Sequence, residues 1–394
     1  MADLQVSAYT VTTALGHGCE PNRQALARGE GGLRPCDLSG VDLQTWIGRV
    51  AGLEGAPLPD AYAEHECRNN RLAYLGLLQD DFTIRVAEAI ERYGSHRIGV
   101  FLGTSTSGIQ SSEEAYANRD PVSGALPRDF RYETTHATYS LAGFVKAALG
   151  LRGPSQVIST ACSSSAKVFA TAQRYIDAGL CDAALVGGVD SLCQMTLYGF
   201  NSLQLVSPEP CRPADADRDG INIGEAAGFA LLERRATDSA IVLLGYGESS
   251  DAHHMSTPHP EGRGAAIAVR HALDRAGLRP QQIDYINLHG TATQANDLSE
   301  DRAVHGIFGN TVPCSSTKGF TGHTLGAAGI VEAIYSCFAI EDGVVFPSLN
   351  TKRLDERMRS AIALEPLARP VNRVVSNSFG FGGSNACLIL GRSS

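Results

Sequence analysis

The stretch Val157-Ile158-Ser159-Thr160-Ala161-Cys162-Ser163-Ser164-Ser165-Ala166-Lys167 joins two kinds of local order. Val157 and Ile158 form a β-branched run that stops at small residues. Val168, Phe169, Ala172, Tyr175 and Ile176 then recur at helical spacing, and Gly179 closes the pattern as a C-terminal cap. The spacing predicts a strand, a tight turn and a helix, with Cys162 at or just before the helix start. Unpartnered backbone N–H groups and the positive end of the helix dipole meet there, and both favour thiolate over thiol. In a chain of ten cysteines such a thiol is more often simply buried. The rest of the sequence has to supply the other half of a reactive site.

The same strand-then-helix alternation extends both ways from this turn. Upstream come a strand over 5–12, a Gly-rich loop, a polar helix around 23–27, an irregular stretch over 29–68 and a continuous helix over 71–93. A strand over 97–103 ends in a small-residue loop. A polar excursion over 111–135 follows, suited to capping a site or meeting a partner, and then a helix over 139–148. Downstream lie a buried strand over 183–188, a loop over 199–220 and a strand within 224–233. The pattern restarts after 234–238, with strands over 241–246, 283–287, 373–377 and 386–390. Its helices lie over 264–276 and 297–308, and a strand–loop–helix unit over 312–338. Such alternation makes the class α/β, with an N-terminal half over 1–236 and a C-terminal half over 237–394. No short-period solenoid repeat is present.

Composition narrows the function. A net charge of −9 with 19% charged residues argues against a general nucleic-acid or membrane-surface role. The ten cysteines form no CxxC pair, which suggests reduced thiols and a cytoplasmic setting. No leader pattern opens the sequence, and no apolar run approaches the ~18 residues of a membrane span.

Small-residue loops follow strands at 103–108, 159–165, 289–297 and 376–385, and sites of open α/β folds gather at strand C-termini. The third begins at His289, with Thr291 and Thr293 beside it. Between the third and fourth, Ser316-Thr317-Lys318-Gly319-Phe320-Thr321-Gly322-His323 places a second histidine near a helix start, which keeps an imidazole neutral and donating from one nitrogen. The small residues after His323 let its helix pack tightly against a neighbour. Asn377-Ser378-Phe379-Gly380-Phe381-Gly382-Gly383 lacks the marks of a phosphate loop and suits a backbone N–H donor with an aromatic gate. His253, His254 and His259 match no metal-ligand spacing, and no GxSxG anchors a serine hydrolase.

Together STACSSSA (159–166), HGTAT (289–293), STKGFTGHTLGAAG (316–329) and NSFGFGGSN (377–385) resemble the elongating β-ketoacyl-acyl-carrier-protein synthases of the thiolase superfamily. GLRGPS (150–155), SSDAHHM (249–255) and, more loosely, RDGINIGEAAG (218–228) extend the likeness almost end to end. The resemblance implies a five-layered α-β-α-β-α thiolase-like fold of two pseudo-symmetric halves, usually dimeric. It implies decarboxylative condensation of an acyl group on Cys162 with a malonyl group. Both substrates ride on the phosphopantetheine of acyl-carrier protein, with no resident cofactor.

By position, His289 and His323 would donate to the malonyl thioester oxygen, and the amides of Cys162 and Phe381 would form the oxyanion hole. Lys318 and Glu332 would support the histidines, Phe379 and Phe381 belong to the gate loop, and Thr291 and Thr293 would bind the pantetheine arm. Some relatives hold a structural monovalent cation near positions matching Asn287, Glu332, Ser376 and Asn377; no catalytic metal is implied. A pair of histidines excludes the initiating synthases, which use His and Asn, and the Gly-rich loop lacks the second cysteine of thiolases. Thr106 stands near the expected floor of the acyl pocket, where relatives carry Gly or an aliphatic residue, and the helix start at His136–Tyr139 is polar. Glu209 replaces an expected base, leaving Arg68, Arg71, Arg128 and Arg131 as candidates to dock the acidic carrier protein. These departures point towards aryl-polyene or polyketide elongation rather than housekeeping fatty-acid synthesis. The partner is then a second copy or a related subunit. The competing reading is a non-catalytic, chain-length-factor-like subunit.

Overall fold

The computed structural model describes residues 4–234 and 241–392, so the expected division at 236/237 lies outside the described residues. The first half contributes five main strands to the large sheet: β1 (Leu4–Thr13), β2 (Ile98–Gly103), β3 (Ser155–Ile158), β4 (Ala183–Asp190) and β5 (Ala226–Glu233). They lie side by side in the order β3-β2-β4-β5-β1. β2 runs parallel to β3 and β4, whereas the β4/β5 and β5/β1 pairs are antiparallel. The second half supplies β6 (Ile241–Ser250), β7 (Tyr285–Asn287), β8 (Pro313–Ser315), β9 (Arg373–Gly380) and β10 (Ser384–Arg392). Their order is β8-β7-β9-β10-β6, with the same succession of parallel and antiparallel pairs. Both halves therefore follow one 3-2-4-5-1 plan, a duplication that residue identities alone do not reveal. β1 and β6 meet at Leu4–Leu243 and Gln5–Val242, joining the two halves.

Parallel neighbours need crossover helices, and these build the layers. The outer helices of the first half are α1 (Arg68–Leu77), α2 (Phe82–Tyr93) and α3 (Ser140–Leu149). The next crossover, α4 (Ser164–Asp177), lies on the other face of the sheet. In the second half, α5 (Arg263–Ala276) and α6 (Gln294–Phe308) are outer, and α7 (Ala328–Asp342) faces α4. Every residue of α7 from Ala328 to Ile340 is buried, as expected of a helix enclosed on all sides. A side chain on Gly329 would place its Cβ 2.5 Å from the Ala166 nitrogen, so the small residues after His323 do permit the expected close approach. The shared core crosses this contact, joining Phe101, Phe169 and Val186 to Tyr335, Phe338 and Leu388. The layers run α-β-α-β-α.

Three local expectations need correction. The helix expected over 71–93 is two helices, because Asp80 and Asp81 take positive φ between them. The Asp80 carboxylate accepts from the Thr10 hydroxyl at 2.7 Å and from the Cys19 N–H at 3.0 Å, which caps the helix Cys19–Arg28. The loop expected from 199 begins inside a helix, Gln194–Ser202, whose first two N–H groups donate to Glu113 at 3.1 and 2.6 Å. That cap comes from 81 residues away, so no local signal announces it. The polar excursion opens with the helix Ile109–Ala117 and closes in a turn over Tyr132–His136. Among the described residues, no helix is long and apolar enough to cross a membrane.

The α4–α7 contact predicts a stability difference. Gly329→Val should lower the unfolding free energy by ~1–3 kcal/mol through overpacking. Gly143→Ala, in α3 with nothing within 4 Å of the added carbon, should raise it by ~0.5–1 kcal/mol. Urea midpoints at equal m-value measure both.

Candidate active site

Equivalent strand ends of the two halves converge on one cavity. After β3, Ala161 takes a left-handed φ of 52°, and α4 starts two residues beyond Cys162. The serines that follow the cysteine brace this turn. Ser164 Oγ accepts from the Thr160 N–H at 2.9 Å and donates to the Ala161 carbonyl at 2.6 Å, while Ser163 Oγ donates to the Thr160 carbonyl at 2.9 Å. Cys162 is 4% exposed.

After β8, the turn preceding α7 brings His323 to Cys162, with Nε2 3.0 Å from Sγ. His323 Nδ1 accepts the Leu325 N–H at 3.2 Å, so a neutral ring carries its proton on Nε2. After β7, His289 lies beside His323, their rings edge to face at 5.3 Å. The Lys318 ammonium has only donors to offer. It faces His289 Nδ1 at 3.3 Å, donates to the His289 carbonyl at 2.5 Å and pairs with Glu332. His289 Nδ1 is therefore an acceptor too, and its Nε2 carries the donor proton. Burial, the Lys318 charge and His323 hold His289 well below the usual imidazole range; burial and then Lys318 do the same for His323. Both rings are neutral donors.

The loop after β9 closes the cavity, which has a volume of about 160 Å³. Phe379 packs against His289 with centroids 6.0 Å apart. Gly380 comes so near the Cys162 turn that a Cβ would lie 2.8 Å from the Thr160 carbonyl oxygen. The half-buried Phe381 ring rests 5.4 Å from Phe200. Thr291 and Thr293 line the cavity with their hydroxyls 3.0 Å apart. The Phe381 and Cys162 amides both act on the sulfur. Burial pushes the thiol up to about 11, while Lys318 and these two amides pull the other way. The thiolate expected from the helix terminus is thus reversed: desolvation outweighs the dipole.

Three further residues matter that sequence reasoning missed. Phe200 lies on the helix read as loop. Asp190, fully buried at the end of β4, accepts from the Thr104 hydroxyl (2.7 Å), the Ser105 N–H (2.7 Å) and the Thr106 N–H and hydroxyl (both 2.8 Å). Its other oxygen takes the Gly326 N–H, so it ties the loop after β2 to the turn behind His323. An acid ending an otherwise apolar strand was the visible signal. Glu300 accepts the His289 and Gly290 N–H groups, each at 2.8 Å, and burial pushes its carboxyl up to about 7. Nothing in the sequence distinguishes it from Asp297 and Asp301 on the same helix.

Thr106 turns its hydroxyl to Asp190. One expectation fails. Arg68 is 9% exposed and locked to Glu225 and Glu54, because a buried guanidinium must satisfy its donors; it offers a carrier protein nothing. Arg71 is tied to Glu66, whereas Arg128 and Arg131 are exposed. None of the four lines the cavity.

Around Glu332 the donor set fits a monovalent cation. Asn287 Oδ1, Glu332 Oε2, Ser376 Oγ and Asn377 Oδ1 are buried oxygens without a hydrogen-bond partner. Both amides turn their nitrogens elsewhere, Asn287 to the Glu332 carbonyl at 3.4 Å and Asn377 to Glu300 at 3.0 Å. Four orphaned hard oxygens, one of them in a carboxylate, call for a cation rather than a donor.

Residues 77–238 match the description "Beta-ketoacyl synthase, N-terminal domain", and residues 240–352 match "Beta-ketoacyl synthase, C-terminal domain". The 3-oxoacyl-[acyl-carrier-protein] synthase 2 of Rhizobium meliloti (strain 1021) is 40% identical over 315 residues, covering 75% of this chain and 74% of that one. The synthase of the same name from Staphylococcus aureus (strain COL) is 30% identical over 372 residues, covering 89% of each. Among solved structures, the ketosynthase ApeO in complex with its chain length factor ApeC from Xenorhabdus doucetiae aligns at a TM-score of 0.91 with 38% identity, covering all of this chain and 98% of that one. The thiol, the paired donors and these matches agree: the chain belongs to the β-ketoacyl synthase family and is an acyl-transferring condensing enzyme of chain elongation.

Proposed function

We propose that the chain is the catalytic subunit of a ketosynthase–chain-length-factor pair that elongates polyene chains on an acyl-carrier protein, with Cys162, His289 and His323 as its catalytic residues. The observation that carries the catalytic reading is that Leu325 and Lys318 fix both histidines as Nε2–H donors beside Sγ. In the first step Cys162 sulfur attacks the acyl thioester. Its proton passes to the departing pantetheine sulfur, and the oxyanion rests on the Cys162 and Phe381 amides. In the second step the malonyl carboxylate leaves as CO₂, and its electron pair forms an enolate whose oxygen receives the two Nε2–H groups. Donors aimed at developing charge contribute about 3 kcal/mol each. The enolate carbon attacks the acyl-Cys162 carbonyl, and the tetrahedral intermediate expels the cysteine thiolate, which takes one proton from solvent as the product leaves. Neutral rings donate throughout without giving up their protons.

Thr291 and Thr293 hold the pantetheine arm, and no resident organic cofactor takes part. A monovalent cation on Asn287, Glu332, Ser376 and Asn377 would supply positive charge beside Glu332 and fix the strand ends that carry His289 and the gate. Arg128 and Arg131, exposed on the excursion, remain for the carrier protein. The outer edge of β3 is unpaired among the described residues, and Tyr132 and Tyr139 are exposed. This face suits a partner subunit, and likeness to the ApeO–ApeC structure over the whole chain supports a related one. Retention of the nucleophile and both donors opposes the non-catalytic reading. Ten free cysteines suit the cytoplasm.

Three outcomes test this. Mass spectrometry of Cys162 after exposure to a panel of acyl-carrier proteins should show unsaturated chains loaded fastest, and light scattering should find a one-to-one complex with a co-expressed chain-length factor. Efficient loading by long saturated chains alone, on a homodimer, would refute the polyene pathway. His289→Ala should slow malonyl decarboxylation by roughly 10²–10³-fold while acyl loading of Cys162 persists; equal loss of both steps would contradict the division of labour. Because the thiol is raised, iodoacetamide labelling of Cys162 should climb about tenfold per pH unit from 7 through 9 without levelling, unlike an ordinary thiol with a pKa of ~8.5.

A further inference from the structure

Cys162, His289 and His323 also form a group whose sulfur and one nitrogen per ring lie within 4.8 Å of one another. Thiolate and two imidazoles with one position left open are the donors of a catalytic-type zinc site, with bonds of ~2.0–2.3 Å. Among the described residues no other His, Cys, Asp or Glu group comes so close. A buried nucleophile with such neighbours is exposed to poisoning by soft divalent ions.

We propose that the hydrogen bonds held by the two Nδ1 atoms keep soft divalent metal ions out of this cluster. A ring that binds a metal through Nε2 must carry its proton on Nδ1. In metal sites the group facing that second nitrogen is an acceptor, a carboxylate or a carbonyl. Here both facing groups are donors: the Leu325 N–H at 3.2 Å from His323 and the Lys318 ammonium at 3.3 Å from His289. Metal binding would set N–H against N–H on both rings and place a dication beside the ammonium. The arrangement that makes the rings donors to an enolate therefore also denies their lone pairs to a metal. The inference rests on the geometry of the cluster, and metal binding is read directly, so its failure leaves the assigned reaction standing.

The test titrates Co²⁺ and Zn²⁺ into the intact protein and into Lys318→Met, which frees His289 Nδ1. The wild type should show no cobalt–thiolate absorption from Cys162, and equimolar Zn²⁺ should leave iodoacetamide labelling of Cys162 unchanged. Lys318→Met should bind one Zn²⁺ per chain at least about tenfold more tightly, with chelator-reversible protection of Cys162. Adding Cys162→Ala should abolish the band, which separates this site from the other nine thiols. Should Lys318→Met fail to fold around an unpaired Glu332, Lys318→Met/Glu332→Gln leaves no uncompensated charge and is read the same way. A cobalt–thiolate band from Cys162 in the wild type would overturn the proposal. So would the absence of any gain in a folded variant.

Discussion

A single buried ammonium sets the polarity of the catalytic cavity. Lys318 is 2% exposed and has three donors for three acceptors: His289 Nδ1, the His289 carbonyl and Glu332. Burying a charge is unfavourable by several kcal/mol unless it is completely paired, so these acceptors are fixed in place as firmly as the lysine. The same charge acts on the groups around it: it adds to burial, the larger cause, in keeping both histidines neutral, pulls against the raised Cys162 thiol and lowers a Glu332 carboxyl that burial would carry still higher than about 7. Four titratable groups thus depend on one side chain that never needs to touch the substrate.

The duplicated fold explains how such a constellation arises from an elongated sequence. The turn after β3 carries Cys162, and its counterpart after β8 leads to His323. The loop after β2 carries Thr104–Thr106, and its counterpart after β7 carries His289. Asp190 ends β4, while β9 ends at the gate. The pseudo-symmetry juxtaposes the starts of α4 and α7, and the Gly329–Ala166 contact sets how near they come. One geometry thereby brings a thiol from one half to hydrogen-bond donors from the other. Asp190 then binds the halves together, collecting amides from the loop after β2 and from the turn behind His323.

What was legible in the sequence was whatever is local in cause. The strand–turn–helix around Cys162, the α/β alternation and the tight packing after His323 follow from periodicity and residue size over a few positions. The family motifs carried the two histidines, Lys318 and the gate. What was not legible depends on partners far along the chain. Asp80 breaks a helix because it caps another 61 residues earlier. Glu113 caps a helix 81 residues later. Arg68 looked available because arginines usually are, and Glu225 lies 157 residues away. Asp190 takes the Thr106 hydroxyl from 84 residues away.

The reversed expectation for Cys162 shows which physical effect governs the site. A helix terminus contributes ~0.3–1 kcal/mol at an exposed position, whereas each pKa unit corresponds to ~1.4 kcal/mol, and desolvation lifts the thiol to about 11 despite three opposing influences. A thiol stored in its neutral form is a slow nucleophile in the resting chain, yet the burial that raises it also keeps water from the intermediates. The acyl thioester and the enolate are both destroyed by water, and Phe381 rests against Phe200 in the wall of the cavity of about 160 Å³ that holds the thiol. The amides of Cys162 and Phe381 act on the sulfur and, with Lys318, offset part of what burial does to it. Protection of the intermediates and reluctance of the resting thiol are therefore one property, set by the depth at which β3 leaves Cys162.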